Sequence, residues 1–216
     1  LRVTGLEVLL RWRHPVAGEI PPDAFINFAE AQKMIVPLTQ HLFELIARDA
    51  AELEKVLPVG VKFGINIAPA HLHSESFKAD IQKLLTSLPA HHFQIVLEIT
   101  ERDMLNHREA NSLFEWLHNE GFEIAIDDFG TGYSNLHNLH ALNVDILKID
   151  KTFVDTLTTN NTSHLIAEHI IEMARGLRLK TIAEGVETPE QVSWLYKRGV
   201  QYCQGWLFAK AMPARE

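Results

Sequence analysis

Short apolar runs that alternate with helical patterns are the feature that most constrains the fold of this chain. There are seven such runs: GLEVLLRW (5–12), VKFGINIA (61–68), FQIVLEIT (93–100), FEIAIDDF (122–129), VDILKID (144–150), LKTIAEGV (179–186) and the weaker YCQGWLF (202–208). Strand followed by helix at this spacing indicates βα units and a mainly parallel sheet. With seven strands in 216 residues, the choice lies between an open doubly wound sheet and a (β/α)8 barrel.

Polar residues at the ends of the runs favour the barrel. Nearly every run carries one at or near its C-terminal end: Glu7 and Arg11, Asn66, Glu98, Asp127 and Asp128, Lys148, Glu184, Gln204. In a barrel the carboxyl ends of the strands converge on one mouth, whereas an open sheet would spread them along an edge. No linker or low-complexity stretch divides the sequence. We therefore expect an α/β chain with a TIM-like (β/α)8 barrel fold, forming one domain over residues 1–216.

The carboxylates expected at that mouth require a counter-charge. Six are candidates: Glu7, Glu98, Asp127, Asp128, Glu184 and Glu187. Only Arg11 and Lys148 oppose them at the strand ends, which leaves a local charge of -4 that two divalent cations would neutralise. Oxygen ligands with one Asn amide favour Mg²⁺ or Mn²⁺ over zinc. A pair of such ions about 3.5–4 Å apart is the usual clamp for hydrolysis of a phosphodiester.

The same residues carry a resemblance to the EAL-domain family, bacterial phosphodiesterases that open cyclic di-GMP to linear pGpG. The motifs occur in order between residues 5 and 213: Glu7-Val8-Leu9-Leu10-Arg11, Asn66, Glu98-Ile99-Thr100-Glu101, Asp127-Asp128-Phe129-Gly130-Thr131-Gly132-Tyr133-Ser134, Lys148-Ile149-Asp150, Glu184-Gly185-Val186-Glu187 and Gln204-Gly205. The signature triplet reads Glu-Val-Leu in place of Glu-Ala-Leu. Because Val8 alternates with Glu7 along the strand, we expect this change to affect packing and not the chemistry.

The resemblance implies a site for two metal ions. One ion would be held by four residues: Glu7, Asn66, Glu98 and Asp127. Asp127 would bridge to a second ion, which Asp128 and Glu184 also bind.

The resemblance also implies the roles of the remaining site residues. Lys148 would orient the nucleophilic water and Glu184 would be the general base. Arg11 would grip a substrate phosphate, and Gln204 would contact the substrate. Glu187 would support the waters around the metal ions or the ligand.

A further role concerns a loop and a homodimer. Glu101 would anchor the glycine-rich loop 129–134, which in this family couples dimerisation to metal binding. The partners expected from the resemblance are therefore cyclic di-GMP and a second copy of the chain. The net charge of -8 argues against binding to duplex nucleic acid.

The resemblance also bears on what surrounds the chain. Family members have another strand and helix before the signature, and this chain opens on Leu1. We expect a fragment that lacks the first strand and helix of the barrel, fused to a sensor or other signalling domain in a longer protein. The single cysteine, Cys203, and the lack of a long apolar run indicate a cytoplasmic domain, a location compatible with an inner-membrane anchor elsewhere in the full-length protein.

Two other functions are alternatives to the enzyme. A non-catalytic cyclic di-GMP receptor would use the same pocket, but degenerate family members usually lose a metal ligand, the lysine or the base, and here all are present. An unrelated barrel metalloenzyme, such as a lyase acting on a carboxylate, is the weaker alternative.

The histidines give little support to a second metal site. His71 and His73 have the spacing of a metal pair, but they lie between Pro69 and Ser74 at an expected helix start. His137 and His140 lie in a short amphipathic segment, where a surface or dimer role is expected.

Overall fold

The computed structural model describes residues 2–100, 107–130, 142–158 and 164–214. The strands in these ranges are β1 (Gly5–Val8), β2 (Trp12–His14), β3 (Gly18–Ile20), β4 (Val61–Asn66), β5 (Phe93–Thr100), β6 (Glu123–Phe129), β7 (Ile146–Ile149), β8 (Lys180–Ala183) and β9 (Tyr202–Cys203). The helices are α1 (Pro22–Ala31), α2 (Ile35–Leu53), α3 (Pro69–Leu72), α4 (Phe77–Ser87), α5 (His107–Asn119), α6 (Lys151–Val154), α7 (His164–Gly176) and α8 (Pro189–Lys197).

Seven strands form one sheet in the order β1-β4-β5-β6-β7-β8-β9. The pairings β1–β4, β6–β7, β7–β8 and β8–β9 are all parallel. Each of the seven apolar runs therefore contains a strand, and the order along the sheet follows the order along the chain. The prediction of a parallel α/β sheet is confirmed.

The first run differs from its prediction. The sequence predicts one strand over residues 5–12, but β1 ends at Val8 and Trp12 begins an antiparallel hairpin of β2 and β3. Arg11 lies between these strands and not at the C-terminal end of one strand over residues 5–12. The hairpin itself is held by Trp12, whose ring packs edge-on against Phe25 of α1 at 5.9 Å.

Two compact units can be distinguished, residues 1–97 with 212–216 and residues 98–211. In the first unit α2 contacts α1, α3 and α4 and buries one face, through Ile35, Leu42, Phe43, Ile46 and Ala50. This spacing gives a helix a single apolar stripe. The expectation of one domain over residues 1–216 stays a prediction.

The second unit has its own apolar core. Helix α7 buries Ala167, Ile170, Ile171 and Ala174, which again recur at helical spacing on one face. All four residues of β7 are buried, as expected for a central parallel strand covered on both faces. One of the four is Lys148, and that exception marks the candidate site.

None of the described helices is long and apolar enough to span a membrane.

Candidate active site

Lys148 is the centre of the candidate site in the second unit. Its side chain is only 1% exposed, because β7 carries it into the interior. The Nζ atom donates hydrogen bonds to Glu98 Oε2 at 2.6 Å and to Asp127 Oδ2 at 3.1 Å. It also forms an ion pair with Glu184 Oε1 at 2.7 Å. The sequence placed these four residues at successive strand ends, and the structure brings their side chains together.

The charge of this cluster is unbalanced. Glu98 is 4% exposed, Asp127 13% and Glu184 19%, so three little-exposed carboxylates face one ammonium group. Burial of a lysine is costly unless it is paired, which explains why Lys148 is surrounded by acids. The formal charge of the four side chains is -2, in a place where water screens charge poorly.

The donor atoms of the cluster suit a divalent cation. Carboxylate oxygens are the preferred ligands of Mg²⁺ and Mn²⁺, and the excess negative charge favours such an ion. Within the described ranges, no group of three or more His, Cys, Asp or Glu side chains is arranged so that it could hold a metal ion. The fit to a metal ion therefore rests on the chemistry of the carboxylate oxygens beside Lys148.

Two adjacent aspartates at the end of β6 are explained by a bulge. The register with β7 shifts between Ile126 and Phe129, and Asp128 has a φ of 53°. Neighbouring side chains on a regular strand point to opposite faces, and the bulge interrupts that alternation. Asp and Asn tolerate this left-handed conformation better than most residues. The Asp128 amide also donates to Asp127 Oδ1 at 2.9 Å, which orients the Asp127 carboxylate.

The first unit contains two of the residues that the resemblance assigns to one metal ion, Glu7 and Asn66. Asn66 Nδ2 donates to Glu7 Oε1 at 2.8 Å. The parallel register sets Glu7 opposite Gly64, so Asn66, two residues beyond, lies at the same end of the β1–β4 pair. Arg11 is exposed, and its Nη1 donates to the carbonyl oxygen of Leu10.

The turn after β8 is held by backbone contacts. We name residues 184–187 the Glu184 turn. The Glu184 amide donates to the Ile149 carbonyl at 3.0 Å, and the Val186 amide to the Gln204 carbonyl at 2.9 Å. The Glu187 amide donates to Gln191 Oε1 at 2.8 Å. Gln204 is half-buried. Its backbone hydrogen bond with Val186 places it beside this turn.

One contact of this turn was missed by the sequence argument. Lys151 Nζ lies 2.8 Å from Glu187 Oε1 and 2.9 Å from Asp155 Oδ1. These carboxylates raise the pKa of Lys151, Glu187 more than Asp155. The available signal was a lysine directly after Lys148-Ile149-Asp150, which an exposed surface position would equally explain.

His71 lies in the short helix α3, and His73 follows it. His71 is fully buried, and its Nε2 lies 3.0 Å from Asp80 Oδ2, whereas His73 is exposed. His71 thus joins α3 to α4. His137, His140 and Glu101 lie outside the described residues, as do residues 131–134 of the glycine-rich loop.

Comparison with known proteins identifies the family. The EAL domain model matches residues 1–211, and the chain belongs to the EAL domain family. Over 213 residues it is 71% identical to the probable cyclic di-GMP phosphodiesterase PdeN of Escherichia coli (strain K12), covering 99% of this chain and 41% of PdeN. It is 38% identical to the cyclic di-GMP phosphodiesterase PdeL of the same strain, covering 99% of this chain and 59% of PdeL. The chain thus spans less than two thirds of either relative.

Solved structures agree with the fold. The PaMucR phosphodiesterase in complex with c-di-GMP superimposes with a TM-score of 0.87 at 32% identity, over 98% of this chain and 86% of that chain. The predicted membership of the EAL family and the predicted TIM-like α/β fold are both confirmed.

Proposed function

We propose that this chain is a phosphodiesterase domain that hydrolyses cyclic di-GMP to linear pGpG with Mg²⁺ or Mn²⁺. The observation that carries the proposal is the buried Lys148 among three carboxylates, a cluster of four side chains with a formal charge of -2. The names of the relatives PdeN and PdeL support the same activity and substrate.

The ligand set proposed for the metal ions follows the family resemblance. One ion is assigned to four residues: Glu7, Asn66, Glu98 and Asp127. The second is assigned to Asp127, Asp128 and Glu184. When bound, such ions polarise the phosphodiester and make water a stronger nucleophile. The bulge at Asp127 and the partial burial of Asp127 and Glu184 support this assignment.

The roles proposed for the protein groups follow the family resemblance. The ammonium of Lys148 donates to the attacking water and orients it, since it is held in place by three carboxylates. Glu184 accepts the proton of that water as general base. Arg11 and Gln204 bind the substrate, Arg11 through a phosphate. Glu187 supports the site from beside Glu184.

Glu101 is proposed as the anchor of the loop 129–134. Gly130 begins that loop with a φ of 93°, and a Cβ there would lie 3.0 Å from the ring of Phe153. We propose that the loop couples the site to a homodimer. The greater length of the relatives supports fusion to a sensor or other signalling domain, and we propose that the chain acts in the cytoplasm. Light scattering on the purified chain, with and without Mg²⁺, measures the dimer directly.

Product analysis tests the proposed reaction. The protein is incubated with cyclic di-GMP in Mg²⁺, Mn²⁺, Ca²⁺ or excess EDTA, and nucleotides are separated by chromatography. We expect pGpG in Mg²⁺ and Mn²⁺, and inhibition by Ca²⁺, because Ca²⁺ prefers longer bonds and a looser geometry. Lys148→Ala should abolish turnover, while Lys180→Ala, which alters an exposed lysine of the same unit, should not.

Each alternative has a distinct outcome. Equal pGpG formation in excess EDTA would exclude the metal mechanism. Tight binding of cyclic di-GMP without hydrolysis would identify a receptor domain. Failure to bind any cyclic dinucleotide would favour an unrelated metalloenzyme.

A further inference from the structure

The stem of Lys151 lies directly on the Glu184 turn. Lys151 is the first residue of α6, three positions after Lys148. A Cβ added to Gly185 would lie 2.6 Å from Lys151 Cδ and 2.7 Å from Lys151 Cβ. Real Cβ atoms do not approach so closely, so the Lys151 stem occupies the space that any side chain at position 185 would need. Gly185 also has a φ of 64°, a conformation that favours glycine.

The opposite side of the turn is held by backbone. A Cβ added to Gly205 would collide with the backbone nitrogen and oxygen of Val186. Val186 also accepts a hydrogen bond from the Leu207 amide at 3.0 Å, in addition to its own bond to Gln204. The turn is therefore confined between the strand end after β9 and the side chain of Lys151.

We propose that Lys151 is a positioning residue for Glu184. Its stem keeps Gly185 in place, and Gly185 fixes the direction in which the preceding carboxylate reaches Lys148 Nζ at 2.7 Å. The effect on rate rests on the proposed function, in which Glu184 is the general base. Small displacements of such a group reduce the rate strongly; about 1 Å can cost roughly 100-fold.

The stem contributes more to this positioning than the charge. The ion pairs of Lys151 with Glu187 and Asp155 are solvent-exposed, with Lys151 at 46%, Glu187 at 42% and Asp155 at 50%. Exposed pairs of this kind add little stability. The ion pairs of the ammonium therefore add little to the contact between the stem and Gly185.

Three variants separate the stem from the charge. Lys151→Ala removes both, Lys151→Met keeps an unbranched stem, and Asp155→Asn removes one ion pair away from the turn. We expect Lys151→Ala to lower kcat at least about 10-fold with KM changed less than about 2-fold, since a misplaced base affects the chemical step. Lys151→Met should lose no more than about 3-fold in kcat, and Asp155→Asn should match the wild type.

Amide hydrogen exchange measures how firmly the Glu184 turn is held, and it needs neither substrate nor metal. Exchange at Val186 and Glu187 should become at least about 10-fold faster in Lys151→Ala and stay unchanged in Asp155→Asn. Unchanged protection in Lys151→Ala would overturn the proposal, whether or not kcat falls. Inactivity of the wild type would instead count against the proposed function, and the exchange result would still decide the role of Lys151.

A double-mutant cycle tests the contact between Lys151 and Gly185. Gly185→Ala should be severely impaired, because the new Cβ meets Lys151. Adding Lys151→Ala removes that obstacle, so the combined loss in kcat should be smaller than the product of the two single losses. Purely multiplicative losses would show that Lys151 and Gly185 act independently, and the proposal would be wrong.

Discussion

Replacement of Lys148 by methionine tests whether its ammonium group holds three carboxylates together. In the wild type Lys148 Nζ lies 2.6 Å from Glu98, 2.7 Å from Glu184 and 3.1 Å from Asp127. Lys148→Met keeps a similar stem but removes the cation that these three acids share. Loss of one partner from a buried ion pair costs about 3–5 kcal/mol, because the remaining charge stays buried and unpaired. For a chain of this length, 1 kcal/mol shifts Tm by roughly 2–4 °C. We therefore expect Tm in EDTA to fall by about 6–20 °C.

The matched control is Lys180→Met. Lys180 pairs with Glu123 at 2.9 Å, but its side chain is 46% exposed, so the expected cost is at most about 1 kcal/mol. Differential scanning fluorimetry in EDTA compares the two variants. A Tm for Lys148→Met within about 2 °C of that for Lys180→Met would refute the reasoning.

Divalent ions give a second measurement on the same variant. Without the ammonium, the three carboxylates should attract Mg²⁺ more strongly than in the wild type. Binding to the folded state alone raises stability, so Mg²⁺ should raise Tm more in Lys148→Met than in the wild type. An equal Mg²⁺ response would show that the metal does not bind near these acids.

Three further variants probe local features. Burial is the largest single effect on the pKa of Asp80 and raises it, whereas hydrogen bonds from Gln40 and His71 lower it, and the pKa lies below its ordinary value of 3.8. The stabilising contribution of the Asp80 carboxylate is therefore present above about pH 4 and is lost as the pH falls through the folded-state pKa. Asp80→Asn should lower the urea midpoint at pH 7 and flatten its dependence on pH below about pH 4. Asp128→Ala should lower the free energy of unfolding by about 1–2 kcal/mol, because alanine is less favourable at the φ of 53°. Asp128→Asn should keep the wild-type Tm, and both variants should lose turnover. Thr188→Ala should cost about 1 kcal/mol in thermal melts, since the Thr188 side chain accepts the Gln191 amide in a capping box, and Thr188→Ser should restore it.

Several features of the site could be predicted from sequence because their signals are local. Strand ends are visible as apolar runs that terminate in polar residues, and a lysine within such a run, as at Lys148, is unusual enough to notice. A threonine followed three residues later by a glutamine is a local pattern of the same kind, and Thr188 and Gln191 form a capping box. These signals depend on neighbours within a few positions.

Other features could not be read from neighbouring residues. The strand breaks after Val8, and Trp12 of the β2–β3 hairpin contacts Phe25 of α1, a contact between elements. The contact of Lys151 with Gly185 joins a helix and a turn that are far apart in sequence. Neither residue belongs to a hydrophobic pattern that would predict the contact.

The sequence by itself determined the succession of the seven parallel strands, the residues near their ends and the family. Those properties follow from hydrophobic periodicity and from motifs in a fixed order. Only the tertiary structure decided which acids share Lys148, since Glu98 and Asp127 lie 50 and 21 positions away along the chain. The physical reason is that periodicity specifies which face of a strand a side chain occupies, whereas its partners depend on sheet register, on the bulge at Asp127 and on the packing that fixes the Glu184 turn.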